Sequence, residues 1–135
     1  MQGVEWLCFG STTFSAMLPL YTSVAKMPDY VSKVTLDAST ENFYWASRLL
    51  GALADPCYGS CIQNIERYHD AVFIKGRRLL LDYDRKMIES GDFSLTAEAN
   101  EALCRMAKEQ TVDTLNKVLA EASRHMKNGY NRADN

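Results

Sequence analysis

Apolar residues recur at helical spacing from Ser39 onward and show no such period before it. Ser39 or Thr40 can cap a first helix. Glu41 then falls in its opening turn, where a carboxylate complements the helix dipole. Phe43, Ala46, Leu49, Leu50 and Leu53 share one face at spacings of three and four. Pro56 disfavours helical geometry at Asp55, so this helix stops or kinks there. A second helix is predicted from Tyr58 to Ile88. Its seam is Ile62, Ile65, His69, Val72, Gly76, Leu79 and Tyr83, a heptad-like repeat. Gly76 lies on that seam, where the missing side chain admits the close approach of another backbone. Residues 89–94 form a connector short enough for an antiparallel helix pair. The third helix is predicted over Leu95–Lys127. Its buried stripe is Ala99, Leu103, Met106, Leu115, Val118, Ala122 and Met126, and Asn128-Gly129 supplies a stop.

The first forty residues read differently. Val4 to Phe9 is apolar and aromatic on both strand faces and ends at Gly10-Ser11-Thr12, as a short buried strand would. Phe14 to Ala25 is apolar but interrupted by Pro19, which disfavours a continuous helix. It reads as irregular, with room for one helical turn before the proline. Met27 to Tyr30 is a break, and Val31 to Leu36 is a short strand or an extended loop. The expected fold is therefore mainly α, with three helices, two of them long and antiparallel, and one or two short N-terminal strands. The chain divides into a strand-bearing irregular segment over 1–38, a helical part over 39–130 and a frayed tail over 131–135.

The 135 residues amount to one domain, able to bury roughly two thirds of the unfolded surface. Hydrophobic residues at 47% and charged residues at 24% exclude a disordered chain. Fifteen basic against seventeen acidic residues leave a net charge of −2, which argues against a nucleic-acid partner. No apolar run reaches the roughly 18 residues of a membrane span, and the start reads as no secretory leader. A cytoplasmic location is expected, with the four cysteines as thiols.

Candidate chemistry is sparse. Cys57, Cys61 and His69, with Cys104 from the next helix, could make a four-ligand metal site. No C-x-x-C pair is present, and small buried helix thiols are the favoured reading, with no metal expected. Cys8 with His69 or His125 could pair a nucleophile with a base. Nothing in the spacing lowers a thiol pKa, so a core cysteine is favoured. Gly10, Ser11 and Thr12 offer hydroxyls and backbone N–H groups after a strand, where an anion or a substrate carboxylate can be held. A plain strand-ending turn is the commoner use of such residues. Glu66 to Asp70 and Arg77 to Lys86 form two polar clusters on the second helix, best read as solvated faces.

The wording of three phrases carries more. Val4-Glu5-Trp6-Leu7-Cys8-Phe9-Gly10-Ser11-Thr12 with Phe14-Ser15, continued by Pro19-Leu20-Tyr21, resembles a stretch of the dipeptidase A family. These are cysteine peptidases of the N-terminal nucleophile hydrolase superfamily. Asn42-Phe43-Tyr44-Trp45-Ala46-Ser47-Arg48-Leu49 with Ala52-Leu53-Ala54-Asp55, and Ile65-Glu66-Arg67-Tyr68, resemble two further signatures in the same order. The resemblance spans residues 3 to 90. It implies a four-layer αββα sandwich and hydrolysis of dipeptides without metal or cofactor. An N-terminal cysteine would attack the peptide carbonyl, its own α-amino group taking the thiol proton. That cysteine maps onto no residue here, since Cys8 lies inside a matched phrase. The resemblance thus implies the C-terminal portion of such a peptidase, a truncated product or a piece of a longer protein. No catalytic residue would lie in this chain, which would be inactive alone, and Gly10, Ser11 and Thr12 would lie near the substrate. The alternative is a helical interaction module with no catalysis.

A strand cut from its sheet leaves apolar faces uncovered, and Phe14, Met17, Leu18 and Leu20 would share that fate. Each exposed large apolar side chain forgoes roughly 1.5–3 kcal/mol. A homo-oligomer through residues 1–38 is therefore expected.

Overall fold

The computed structural model describes residues 3–133, with side-chain surroundings as far as Met126. Strands β1 (Val4–Leu7) and β2 (Leu18–Tyr21) form a two-stranded antiparallel sheet. A single helical turn, α1 (Asp29–Ser32), follows, then α2 (Phe43–Ala54), α3 (Tyr58–Ser90) and α4 (Leu95–Ala133). A 3-10 turn over Asp55–Cys57 joins α2 to α3, where Pro56 ends the first helical run. The fold is mainly α, with two long helices and a short N-terminal sheet, as the pattern predicts. No helix among the described residues is long and apolar enough to cross a membrane.

The segment read as irregular around Pro19 is a strand instead. Glu5 faces Leu20, Trp6 faces Pro19 and Leu7 faces Leu18. Thr22 N–H donates to the Gly3 carbonyl at 3.0 Å. Ladder bonds of this kind recur at every second residue, so Leu20 and Leu18 face β1 while Tyr21 and Pro19 turn their backbone outward. Pro19 has no N–H to leave unpaired there. Tyr21 does, and the side chain of Asn100 on α4 meets it. Tyr21 N–H donates to Asn100 Oδ1 at 2.8 Å, and Asn100 Nδ2 donates to the Tyr21 carbonyl at 2.9 Å. A helix side-chain amide thus stands where a third strand would.

Tyr21 is anchored at its other end as well. Its hydroxyl donates to Asp84 Oδ1 at 2.7 Å on α3, with the Leu80 carbonyl 3.1 Å away. Burial, and then the neighbouring Asp84 carboxylate, push its pKa up. β2 is consequently buried along its whole length. Leu18 and Leu20 lie in the main core with Phe43, Leu50 and Leu103. The expectation that Phe14, Met17, Leu18 and Leu20 lack cover therefore needs correction. Leu18 and Leu20 are covered by this chain's own helices, Phe14 packs against the same core, and Met17 remains 49% exposed.

The helical seam also differs in register from the one predicted. α3 buries Cys61, Ile65, Tyr68, Val72, Gly76, Tyr83 and Met87. Tyr68 replaces His69 and Cys61 replaces Ile62, because the Tyr68 hydroxyl meets Thr111 Oγ1 on α4 at 2.7 Å. At Gly76 the close neighbour is the Pro19 ring: an added Cβ would sit 3.2 Å from Pro19 Cδ and 3.6 Å from Met106 Cε. Met126, assigned to the buried stripe, is 75% exposed. His125 already reaches Ser60 at the start of α3, so the next residue of α4 has little helix left to cover it.

Helix ends depart from the sequence reading too. Asn42, not Ser39 or Thr40, caps α2, its side chain accepting from Trp45 N–H at 3.2 Å. Glu41 stays outside the helix and pairs with Lys108 on α4. Residues 31–36, read as strand or loop, instead complete α1 and then a loop, Ser32 Oγ donating to the Pro28 carbonyl at 2.9 Å. α4 runs through Asn128-Gly129 to Ala133 rather than stopping. Of the tail expected over 131–135, residues 134 and 135 lie outside the described residues.

Asn100→Ala should be among the most destabilising single substitutions on α4. It strands a buried N–H and a buried carbonyl, at about 1–3 kcal/mol each. Urea denaturation of the variant should show the loss. A change below about 0.5 kcal/mol would mean that water or β1 takes over both groups.

Candidate functional site

After β1 the chain continues through Cys8 and Phe9 to Gly10, whose φ of 75° only glycine adopts without strain. The turn is closed by Ser11, whose carbonyl accepts from Phe14 N–H at 3.1 Å and from Ser15 N–H at 2.9 Å. Thr13 N–H donates to Ser11 Oγ at 3.2 Å. The buried Ser15 hydroxyl lies 3.3 Å from that of Ser47, tying the loop to α2. Phe14 lies against Gly51 of α2 and meets the Tyr58 ring edge-on at 6.0 Å.

Between this loop and α2 lies a cleft of about 360 Å³. Gly10, Ser11 and Phe14 form one wall. Ser47, Arg48, Gly51, Ala52, Asp55 and Pro56 form the other. The Arg48 guanidinium lies 5.6 Å from the centre of the Tyr44 ring, and among the described residues it forms no ion pair. The amides of Gly10, Ser11 and Thr12 donate to no protein acceptor among the described residues. Two of the three residues expected near substrate, Gly10 and Ser11, thus line the cleft, while Thr12 is exposed beside it. Arg48 and Asp55 were not singled out for chemistry from the sequence. Their spacing of seven, two turns on one helix face, was the available signal.

The thiols are dispersed. Cys57 Sγ lies 3.1 Å from Cys61 Sγ and donates to the Leu53 carbonyl at 3.2 Å. Burial raises the Cys61 pKa, and the Cys57 contact raises it further. Burial pushes the Cys104 thiol up to about 12, with Glu101 adding to the rise. Cys8 is half-buried, and its thiol points at the Ser15 carbonyl 4.0 Å away. Among the described residues neither histidine pairs with it. His125 Nε2 meets Ser60 Oγ, and His69 Nε2 is buried with no partner among the described residues. No three His, Cys, Asp or Glu side chains among the described residues gather closely enough to hold a metal ion. Of the polar clusters on α3, Glu66 and Asp70 are exposed, and Arg85 pairs with Asp82 on the surface at 3.3 Å. Asp84 turns inward to Tyr21.

Comparison with known proteins gives the site a context. The sequence pattern of peptidase family C69 matches residues 1–71, which contain all three phrases quoted above. A probable dipeptidase A of Streptococcus pyogenes serotype M3 (strain SSI-1) is 32% identical over 134 residues, covering 99% of this chain and 29% of that protein. A dipeptidase of Bifidobacterium longum (strain NCC 2705) is 25% identical over 174 residues, covering 98% of this chain and 33% of that protein. Dipeptidase A of Lactobacillus helveticus is 36% identical over 58 residues, 43% of this chain and 12% of that protein. The chain spans about three tenths of the length of the first two relatives.

The thiols should separate by reactivity. At pH 8 a maleimide should label Cys8 quickly and Cys57, Cys61 and Cys104 only on unfolding. Cys104 titrates from 9.0 when free to about 12 when folded. The native state therefore keeps a proton that the unfolded chain sheds, and stability present below pH 9 is lost as the pH climbs toward 12. A denaturant midpoint that stays level from pH 8 to 11 would contradict this.

Proposed function

Because this chain belongs to peptidase family C69, we infer that it works as part of a dipeptidase, hydrolysing dipeptides in the cytoplasm without metal or cofactor. The observation that carries the reading is the match of residues 1–71 together with relatives named dipeptidase A along nearly the whole chain. The attacking cysteine is supplied from outside these residues. Three of the four thiols are buried, and the pKa of Cys61 and of Cys104 is raised, the opposite of what a nucleophile needs. Cys8 has its own nitrogen locked in a peptide bond, so no α-amine is there to take its proton. In this reading β1 and β2 belong to one sheet of an αββα sandwich, and the helices form one of its outer layers. Gly10, Ser11 and Thr12 stand beside the bound dipeptide.

A second reading, a helical interaction module, draws on one observation. Ile74, Leu81 and Ile88 are all exposed at heptad spacing on α3. Enzyme assay separates the two. The chain alone should leave L-alanyl-L-alanine intact and should contribute to turnover only when joined to the rest of a family-length polypeptide. Hydrolysis by the chain alone, abolished in Cys8→Ala, would overturn the assignment of the nucleophile.

Assembly through residues 1–38 belongs to the same reading. Val4 and Trp6 turn their backbone groups away from β2, and among the described residues no third strand pairs with β1, whose Trp6 ring stacks on Phe73 of α3 at 5.7 Å. An apolar groove of about 220 Å³ lined by Leu7, Phe9, Leu20 and Met27 runs beside it. A second copy of β1 fits that edge antiparallel, with Trp6 opposite Trp6 and Glu5 opposite Leu7, so like charges do not meet. Light scattering at micromolar concentration should report a dimer, and Trp6→Lys should dissociate it. A monomer across the whole range, with the hairpin formed, would count against it.

A further inference from the structure

The cleft between the Gly10 loop and α2 carries two opposite charges that the fold itself does not use. Arg48 has no carboxylate partner among the described residues, and its guanidinium is steadied by the Tyr44 ring. Asp55 closes the other end of the same wall. Its backbone N–H donates to Gly51, which leaves its carboxylate free of the capping task. Facing them, the Gly10–Thr12 amides are unclaimed by protein acceptors, and the positive φ at Gly10 curves that backbone into the concave run that favours an anion.

We propose that this cleft is a site for a free dipeptide, with Arg48 and the Gly10–Ser11 amides holding its α-carboxylate and Asp55 its α-ammonium. The proposal rests on the peptidase reading and names the ends of the substrate that this segment grips. The dimensions agree. Seven residues of helix separate Arg48 from Asp55, a rise of roughly 10 Å. The charged ends of an extended dipeptide lie about 7 Å apart, which leaves roughly 3 Å to be shared between its two ends. A tripeptide is longer by roughly 3.5 Å, which takes up that margin. The volume, about 360 Å³, falls among the smaller ligand pockets. Guanidinium and carboxylate are a planar, two-pronged match, whereas a lysine at the same place would offer only a point charge. No bond forms or breaks in this step. It is recognition, and it selects a substrate with both ends free.

Binding to the chain itself tests it without any need for turnover. Amide resonances would be followed while L-alanyl-L-alanine, its C-terminal amide, its N-acetyl derivative and trialanine are added in turn. Millimolar alanyl-alanine should move Gly10, Ser11 and the Arg48 side-chain resonance. Amidation of the carboxylate should weaken binding roughly tenfold or more, the loss of a charge-assisted hydrogen bond. Arg48→Gln should do the same, and Asp55→Asn should remove the preference against the N-acetyl peptide. Both side chains are exposed, so neither change touches the core. No movement with alanyl-alanine, equal binding of the amide, or an unaffected Arg48→Gln variant each overturns the proposal. Failure of the peptidase reading would look different. Dipeptide would still bind here with the stated selectivity, while joining the chain to a family-length partner would yield no hydrolysis. Hydrolysis by that joined enzyme with KM unchanged by Arg48→Gln would remove the proposal and leave the reading.

Discussion

The outward edge of β2 sets the terms for the rest of the molecule. A strand buried on both faces cannot leave its peptide groups unpaired, since each unmet group costs about as much as a weak domain can spare. This chain meets the requirement with one proline and one asparagine. Pro19 removes the donor at one outward position, and Asn100 supplies donor and acceptor together at the next. Once Asn100 is committed to Tyr21, the height of the hairpin against α4 is fixed. Asp84 then fixes Tyr21 against α3, and Gly76 leaves room for the Pro19 ring between them.

The same logic explains why α4 carries buried polar residues along a face that an apolar period would fill. Thr96 donates to the Ser23 carbonyl at 3.0 Å, and Thr111 meets Tyr68 while also donating to Ala107 of its own helix at 2.7 Å. These side chains attach the N-terminal segment and α3 to one helix. Among the described residues Thr114 has no such outside partner, and turns its hydroxyl back to Gln110 at 2.8 Å.

This division decides what could be read from the sequence. Helix positions, the break at Pro56 and the antiparallel pairing follow from period and proline chemistry, which are local. The family resemblance was likewise legible in contiguous phrases. The seam register was not, because the choice between Tyr68 and His69 depends on a threonine forty-three residues away. Leu18–Tyr21 was missed as a strand for the same reason: Pro19 is a breaker by local rules, and the asparagine that pairs the next outward residue, Tyr21, lies on the last helix. At the candidate site, Gly10 and Ser11 carried a local turn signal. Arg48 and Asp55 became visible only once the loop lay across α2 and gave their shared face something to enclose.

The span between Tyr21 and Asn100 has a consequence for how the molecule comes into being. The two are 79 residues apart in the chain, whereas the contacts that join α3 to α4 near their connector are close in sequence. The helical pair can therefore zip from its turn at low loop-closure cost, and the hairpin docks onto a surface already made. On the ribosome the order is reversed. At about 5–20 residues per second, some 4–16 s pass between the emergence of β2 and the arrival of its asparagine. For that interval an apolar strand with its outer edge open waits in the presence of other nascent chains, and the speed of translation, rather than the depth of the final energy minimum, governs how often it finds the wrong partner.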